Sequence, residues 1–171
     1  MLPIRELELA DADFLGVMLY EAIYWDPAKE RLPAEFVLAH PQLTIFHAGW
    51  GRPGDTGLVA EVDGYPAGVV WYRLFTEAEH GEGFVDEATP ELAISVADGQ
   101  RGNGVGTALM NAIHDRARAD GLERISLSVD AYNPARRLYA RLGYVEYEPG
   151  DGLGRMILTV QEGLALLGRD R

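Results

Sequence analysis

The sequence predicts an α+β fold: a twisted mixed sheet of about seven strands, mostly antiparallel with one central parallel pair, and helices on both faces. Three observations predict it. Two β-type runs, residues 58–62 and 65–75, are separated by Asp63-Gly64, a dipeptide that supplies the positive φ angles of a tight antiparallel hairpin. Residues 91–96, a Gly-rich segment, a helical stretch over 104–120 and residues 124–129 form a β-loop-α-β run, whose strands lie parallel with a crossover helix between them. Residues 144–148 and 155–160 then make a final strand pair.

The remaining elements follow in chain order. Residues 3–9 suit a first strand, and Asp11 stands where it would cap a helix over 12–20 that carries apolar Phe14, Leu15, Met18 and Leu19. Leu32-Pro33-Ala34-Glu35 opens a second helical stretch toward Ala39. An acidic loop covers residues 76–89. In the helix over 104–120, Val105, Leu109, Ala112 and Ile113 fall on one face, and Gly121 is placed to end it. Pro134 fits the first turn of a last helix that Gly143 stops. No repeat, linker or low-complexity tract interrupts this run, so residues 1–160 read as a single domain and residues 161–171 as a loosely held tail.

Composition narrows the function classes. The 171 residues are 47% hydrophobic, enough to bury a sizeable core. Apolar runs such as Ala67-Gly68-Val69-Val70-Trp71 are too short to cross a bilayer, and the N-terminus lacks a signal pattern, so the expectation is a cytoplasmic protein with no membrane partner. Absence of cysteine excludes disulfides, thiolate metal sites and a cysteine nucleophile. A formal charge of −12 repels phosphate backbones and argues against nucleic-acid binding, while favouring cationic small molecules. The four histidines, His40, His47, His80 and His114, show no metal-ligand spacing and read as structural or surface residues, so no metal is expected. No Gly-x-Ser-x-Gly elbow supports a hydrolase.

The chemistry-bearing segment is Gln100-Arg101-Gly102-Asn103-Gly104-Val105-Gly106, at the handover from strand to helix. Glycines there let several backbone N–H groups approach one anion, and the helix N-terminus adds its positive dipole end. A dinucleotide fingerprint would want glycine at Thr107, and a P-loop would want Gly-Lys-Ser/Thr; neither is present. What remains, Arg101-x-x-Gly104-x-Gly106 followed by Thr107-Ala108-Leu109, resembles the pyrophosphate-binding motif of the GNAT superfamily of acetyltransferases. A second motif agrees: Asn133-Pro134-Ala135, Tyr139 and Gly143-Tyr144 are similar to the family's Asn-x-x-Ala-x-x-x-Tyr-x-x-x-Gly-Phe/Tyr signature. The resemblance is carried by residues 91–147, about a third of the chain, whereas residues 3–75 match in element order alone.

That resemblance implies acetyl-CoA as co-substrate. Ile94, Ser95 and Val96 would offer backbone groups to its pantetheine arm, and Arg101, Gly102, Asn103, Gly104, Val105, Gly106 and Thr107 would hold its pyrophosphate. Asn133, also an N-cap position, would contact the cofactor arm, and Tyr139 would lie near the thioester sulfur as the acid. A protonated amine must lose a proton before it attacks, and Glu91, at the start of the cofactor strand, resembles the acidic residue many members place there as base; it is equally an ordinary strand-end carboxylate. At Ser128 the sequence departs from some members that acetylate proteins, which carry a glutamate there.

The implied function is an N-acetyltransferase acting on a primary amine of a small molecule or peptide through a ternary complex, with a possible homodimer by analogy. The rival is a non-catalytic acyl-CoA-binding or regulatory module of the same fold. Two further features bear on the acceptor. Tyr20, Tyr24, Trp25 and Asp26 suit either a cation site or core packing, and the acidic loop with Glu77, Glu79, His80, Glu82, Asp86 and Glu87 either lines an amine site or is merely solvated.

Overall fold

A computed structural model describes residues 1–160; the predicted tail over 161–171 lies outside the described residues. Seven strands form one sheet in the order β1-β2-β3-β4-β5-β7-β6. They are β1 (Ile4–Glu6), β2 (Thr56–Val62), β3 (Tyr65–Arg73), β4 (Glu91–Val96), β5 (Arg124–Ser128), β6 (Val145–Glu146) and β7 (Arg155–Thr159). Five helices accompany them: α1 (Ala12–Ile23), α2 (Ala34–Leu38), α3 (Pro41–His47), α4 (Val105–Ala119) and α5 (Ala135–Arg141). The predicted parallel pair is β4 with β5, in register at Glu91 and Ser126. β1 with β2, β2 with β3, β5 with β7, and β6 with β7 are antiparallel.

The described chain divides into two compact units, one of Met1–Arg73 with Ala93–Ile113, the other of Leu74–Leu92 with the chain from His114 onward. In the first, the predicted hairpin turn has Asp63 at φ 53° and Gly64 at φ 80°, the left-handed pair that this turn demands. Leu7, Leu15, Met18, Leu19, Trp50, Val59, Val69 and Trp71 form its core, with Phe14, Leu38, Leu43 and Phe46 packed on it. β1 is shorter than the sequence suggests, because residues Leu9–Asp11 turn into a single 3-10 turn. Asp11 stands at the N-cap of α1 but its carboxylate takes the Glu8 N–H at 2.8 Å and pairs with Arg5 at 2.8 and 3.0 Å, so it ties β1 to the helix start without capping the helix by its side chain. Helix α3 has no counterpart in the sequence reading; Pro41 opens it and His40 accepts the Gln42 N–H at 3.3 Å.

Arg73, at the end of β3, is the first unit's one buried guanidinium with a buried acid beside it. It pairs with both oxygens of Asp55 at 2.8 and 2.7 Å and donates to the carbonyls of Ile45 and Ala48, both at 2.8 Å. These bonds hold the end of α3 and the segment after it to the end of β3.

In the second unit the buried residues include Ile125 and Leu127 of β5, Met156 and Leu158 of β7, Tyr139 of α5 and Tyr144 in the turn after it. His114 is buried among them and shares a 2.9 Å hydrogen bond with the Tyr144 hydroxyl. Burial pulls its pKa down to about 4. Among the described residues no helix is long and apolar enough to cross a membrane.

Candidate active site

In the first unit, the end of β4 runs through a tight turn into α4. Ala97 N donates to Ala67 O at 2.8 Å, and Gln100 N to Ala97 O at 3.0 Å. Arg101 is exposed, and its Nε donates to Val96 O at 3.2 Å, which anchors the guanidinium at the strand's end. Gly102 and Gly104 have φ of 78° and 82°, and a Cβ built on either would meet nothing within 4 Å. Glycine is therefore required here by backbone conformation, and the space over the loop stays open for a ligand. Ala108 N makes its helical bond to Gly104 O at 3.0 Å. The N–H groups of Val105, Gly106 and Thr107 precede that bond, so they belong to the helix's unpaired first turn and face outward. A 15-residue helix adds its dipole to them. This is a cradle that fits a pyrophosphate.

Gly68 sets where that helix begins. A Cβ there would stand 3.0 Å from Leu109, 3.1 Å from Ser95 O and 3.2 Å from Val105, so only hydrogen lets β3 come this close to β4 and the first turn of α4. Ile94 and Val96 are half-buried, and Ser95 is buried with its Oγ unpartnered. The predicted cation patch holds a cation from the chain itself: the Arg31 guanidinium lies 5.7 and 5.4 Å from the Tyr20 and Tyr24 ring centres and pairs with Glu21 at 2.8 Å. Tyr24 is buried, while Asp26 turns back to accept the Ala28 N–H at 2.9 Å.

In the second unit, Glu91 is only 2% exposed. Its Oε1 accepts the Gly83 N–H at 2.8 Å, and its Oε2 is buried with no partner. Burial, with the Glu82 carboxylate nearby, pushes its pKa up to about 7, against the opposing pull of the backbone donors. Gly83 is indispensable to this arrangement, since a Cβ would sit 2.6 Å from Glu91 Oε1 and 2.8 Å from the Leu127 carbonyl carbon. Sequence reasoning passed over Gly83; the only signal was a pair of glycines, Gly81 and Gly83, inside an otherwise acidic loop.

Asn133 lies one residue before the N-cap Pro134 of α5, and its Oδ1 accepts the Ala135 N–H of the helix's first residue at 2.9 Å. Tyr139 is 7% exposed and tilts against Tyr144 with ring centres 5.9 Å apart. Burial pushes its pKa up to about 12, so its phenol stays protonated near neutral pH. Of the histidines, His80 stacks on Phe84 with ring centres 4.3 Å apart and His47 contacts Leu38 O at 3.3 Å.

A sequence profile described as the Acetyltransferase (GNAT) family matches residues 18–144, most of the chain. The chain belongs to this family. Its GNAT relatives include an L-methionine sulfoximine/L-methionine sulfone acetyltransferase of Pseudomonas aeruginosa, 36% identical over 77 residues, 44% of either chain. A mycothiol acetyltransferase of Thermobispora bispora is 33% identical over 99 residues, 57% of this chain and 32% of that one. The chain thus spans less than half the length of these curated relatives. Among solved GNAT structures, the PaiA N-acetyltransferase of Thermoplasma acidophilum in complex with coenzyme A has a TM-score of 0.70 at 14% identity, over 93% of this chain and 99% of that one. A ribosomal-protein-alanine N-acetyltransferase from Brucella melitensis has a TM-score of 0.62 at 25% identity, over 92% and 99%.

Proposed function

We propose that this GNAT chain transfers the acetyl group of acetyl-CoA to a primary amine of a small molecule or peptide. The observation that carries the reading is the open cradle from Arg101 to Thr107, where two left-handed glycines and an unpaired helix N-terminus suit a pyrophosphate. Ile94, Ser95 and Val96 offer the pantetheine arm backbone groups, and Asn133 contacts it.

In the transfer, the deprotonated amine nitrogen attacks the thioester carbonyl carbon; the C–N bond forms, the C–S bond breaks, and the second proton, released from the nitrogen after attack, ends on the departing CoA sulfur, so that CoA leaves as the thiol. Glu91 takes the ammonium proton, for which its unpartnered Oε2 is the available acceptor. A pKa of about 7 suits a base at neutral pH, because the carboxylate is both substantially ionised and basic enough to hold the proton. Tyr139 keeps its proton and donates a hydrogen bond to the departing sulfur.

Acetyl-CoA should raise the thermal midpoint, and CoA should be released in the presence of an amine acceptor. Gly104→Asp should abolish the midpoint shift, since it adds a negative charge and a side chain where φ is 82°. An unshifted midpoint for the unsubstituted protein would overturn the reading. Binding of acetyl-CoA without release from any amine would favour the non-catalytic module. Tyr139→Phe should lower turnover by about 10²–10⁴-fold with little change in acetyl-CoA affinity, because only the transition state loses a bond.

A further inference from the structure

Tyr139 and Tyr144 are neighbouring rings in the second unit, and only one of their hydroxyls is tethered. The rings tilt at 56° with centres 5.9 Å apart, and Tyr144 N donates to Tyr139 O at 3.1 Å, so backbone and packing both join the two residues. Among the described residues the Tyr139 hydroxyl has no hydrogen-bond partner, whereas the Tyr144 hydroxyl is hydrogen-bonded to His114 Nε2 at 2.9 Å. The imidazole and the Tyr144 ring also touch, tilted at 42° with centres 5.6 Å apart.

This division of labour has a chemical reason. A phenol that must donate to a ligand atom cannot spend its proton on the protein, so its direction has to come from what its ring leans on. Tyr139 leans on Tyr144. A ring anchored at its tip is a fixed wall, while a ring held by shape alone can rock. The anchor is built to last in the interior: His114 and Tyr144 are both buried, and burial, with the Arg118 cation nearby, keeps the imidazole neutral at neutral pH. The bond therefore joins two neutral groups and brings no charge inside.

We infer that His114 and Tyr144 are positioning residues: their hydrogen bond fixes the Tyr144 ring, and that ring aims the Tyr139 phenol. The inference rests on the reading of Tyr139 as the donor to the departing sulfur. Neither residue passes a proton in this role; both act through Tyr139.

Tyr144→Phe keeps the ring and removes the tether. Turnover should fall by roughly three- to thirtyfold, less than the ~100-fold that a misplacement of about 1 Å can cost, with KM for acetyl-CoA nearly unchanged. His114→Leu should do the same, and His114→Gln, whose amide reaches about where Nε2 stands, should recover most of the turnover that His114→Leu loses. Losing a buried partner lowers stability whatever the role, so a double-mutant cycle in turnover decides. In the Tyr139→Phe background, Tyr144→Phe should lower turnover no further, because no phenol is left to aim. Losses that multiply, or full turnover in Tyr144→Phe, would overturn the inference and leave Tyr139 as the donor. Full turnover in Tyr139→Phe would overturn both together. A measurement without cofactor separates the positioning from the transfer. The ring-flip rate of Tyr139, followed by aromatic NMR of the unliganded protein and identified by the signals that Tyr139→Phe removes, should rise severalfold in Tyr144→Phe and His114→Leu but not in His114→Gln. That result with no CoA release from any amine upholds the positioning of Tyr139 while the transferase reading fails. An unchanged flip rate in Tyr144→Phe and His114→Leu overturns the positioning itself.

Discussion

Asp55 and Glu91 are both buried carboxylates, and their surroundings are opposite. Asp55, with its side chain 2% exposed, meets Arg73 through both oxygens and also accepts the N–H groups of Gly51 and Arg52 at 2.9 and 3.0 Å. Both oxygens have donors, one on Oδ1 and three on Oδ2, and the charge is compensated where it lies. Glu91 has a backbone donor at Gly83 with the Gly81 backbone also nearby, no cation, a nearby carboxylate at Glu82 and one oxygen, Oε2, without a hydrogen bond. Burial at equal depth therefore yields a structural clip in one case and, on the reading proposed above, a proton acceptor in the other. What separates them is saturation of the oxygens, since a saturated carboxylate has no capacity left for a substrate proton.

The largest expected effect breaks the chemical side of the pair. Glu91→Gln keeps shape and an oxygen for the Gly83 N–H but cannot take a proton, so turnover at neutral pH should fall by about 10²–10⁴-fold. The defect should shrink as pH rises and more of the acceptor amine is already deprotonated. In the unsubstituted enzyme the rate should climb with pH through about 7 as Glu91 ionises. A rate profile of both proteins checks this; a defect of constant size at every pH would assign Glu91 to structure, like Asp55.

Asp55→Asn breaks the other side. It leaves the Arg73 charge buried with carbonyl partners but no counter-ion, a change that costs about 3–5 kcal/mol of stability in comparable buried pairs. Denaturant unfolding should show the loss. Because the Ile45 and Ala48 carbonyls still hold the guanidinium, the lower end of that range is expected, and a loss below about 1 kcal/mol would mean the pair is no better than a surface bridge.

The two carboxylates were not equally visible beforehand. Glu91 was legible because it begins the strand of a β-loop-α-β run whose glycine spacing and later Asn133 to Tyr144 motif are local features of the chain. The same locality made β4, α4, β5 and α5 readable to within a residue or two. Asp55 and Arg73 are 18 residues apart with the β2–β3 turn between them, and nothing in either neighbourhood announces the other. A lone arginine closing an apolar run, Val69-Val70-Trp71-Tyr72-Arg73, was the available sign of a buried partner. The tether on Tyr144 was hidden for the same reason: His114 lies 30 residues away, and in sequence it looks like an ordinary structural or surface histidine. Tyr20 and Tyr24 show the converse. Their spacing suited either a cation site or core packing, and the fold shows both, with Tyr24 buried and Arg31 of the same chain beside the two rings.

The smallest expected effect sharpens the comparison, because it concerns the stability cost of keeping a carboxylate unsaturated. Glu91 has a folded-state pKa of about 7 against an ordinary value of 4.5, so the folded protein holds a proton there that the unfolded chain has released. The sign follows from linkage: the contribution of Glu91 to stability is fully present below 4.5 and is lost as pH rises through about 7. The shift corresponds to on the order of 3 kcal/mol at most between those limits. Glutamine at this position never ionises, so Glu91→Gln should leave stability nearly unchanged at about pH 4 and make the protein more stable than the unsubstituted form at about pH 8. Titration of His114 runs the other way, with stability present above 6.5 and lost as pH falls toward about 4, but it is common to both proteins and cancels in the difference. Urea unfolding of the two proteins at both pH values measures that difference directly. A variant that gains stability while losing turnover would identify the unsatisfied oxygen as held for chemistry at the fold's expense, whereas equal stability of the two proteins at about pH 8 would mean that Glu91 finds its missing donor without a substrate.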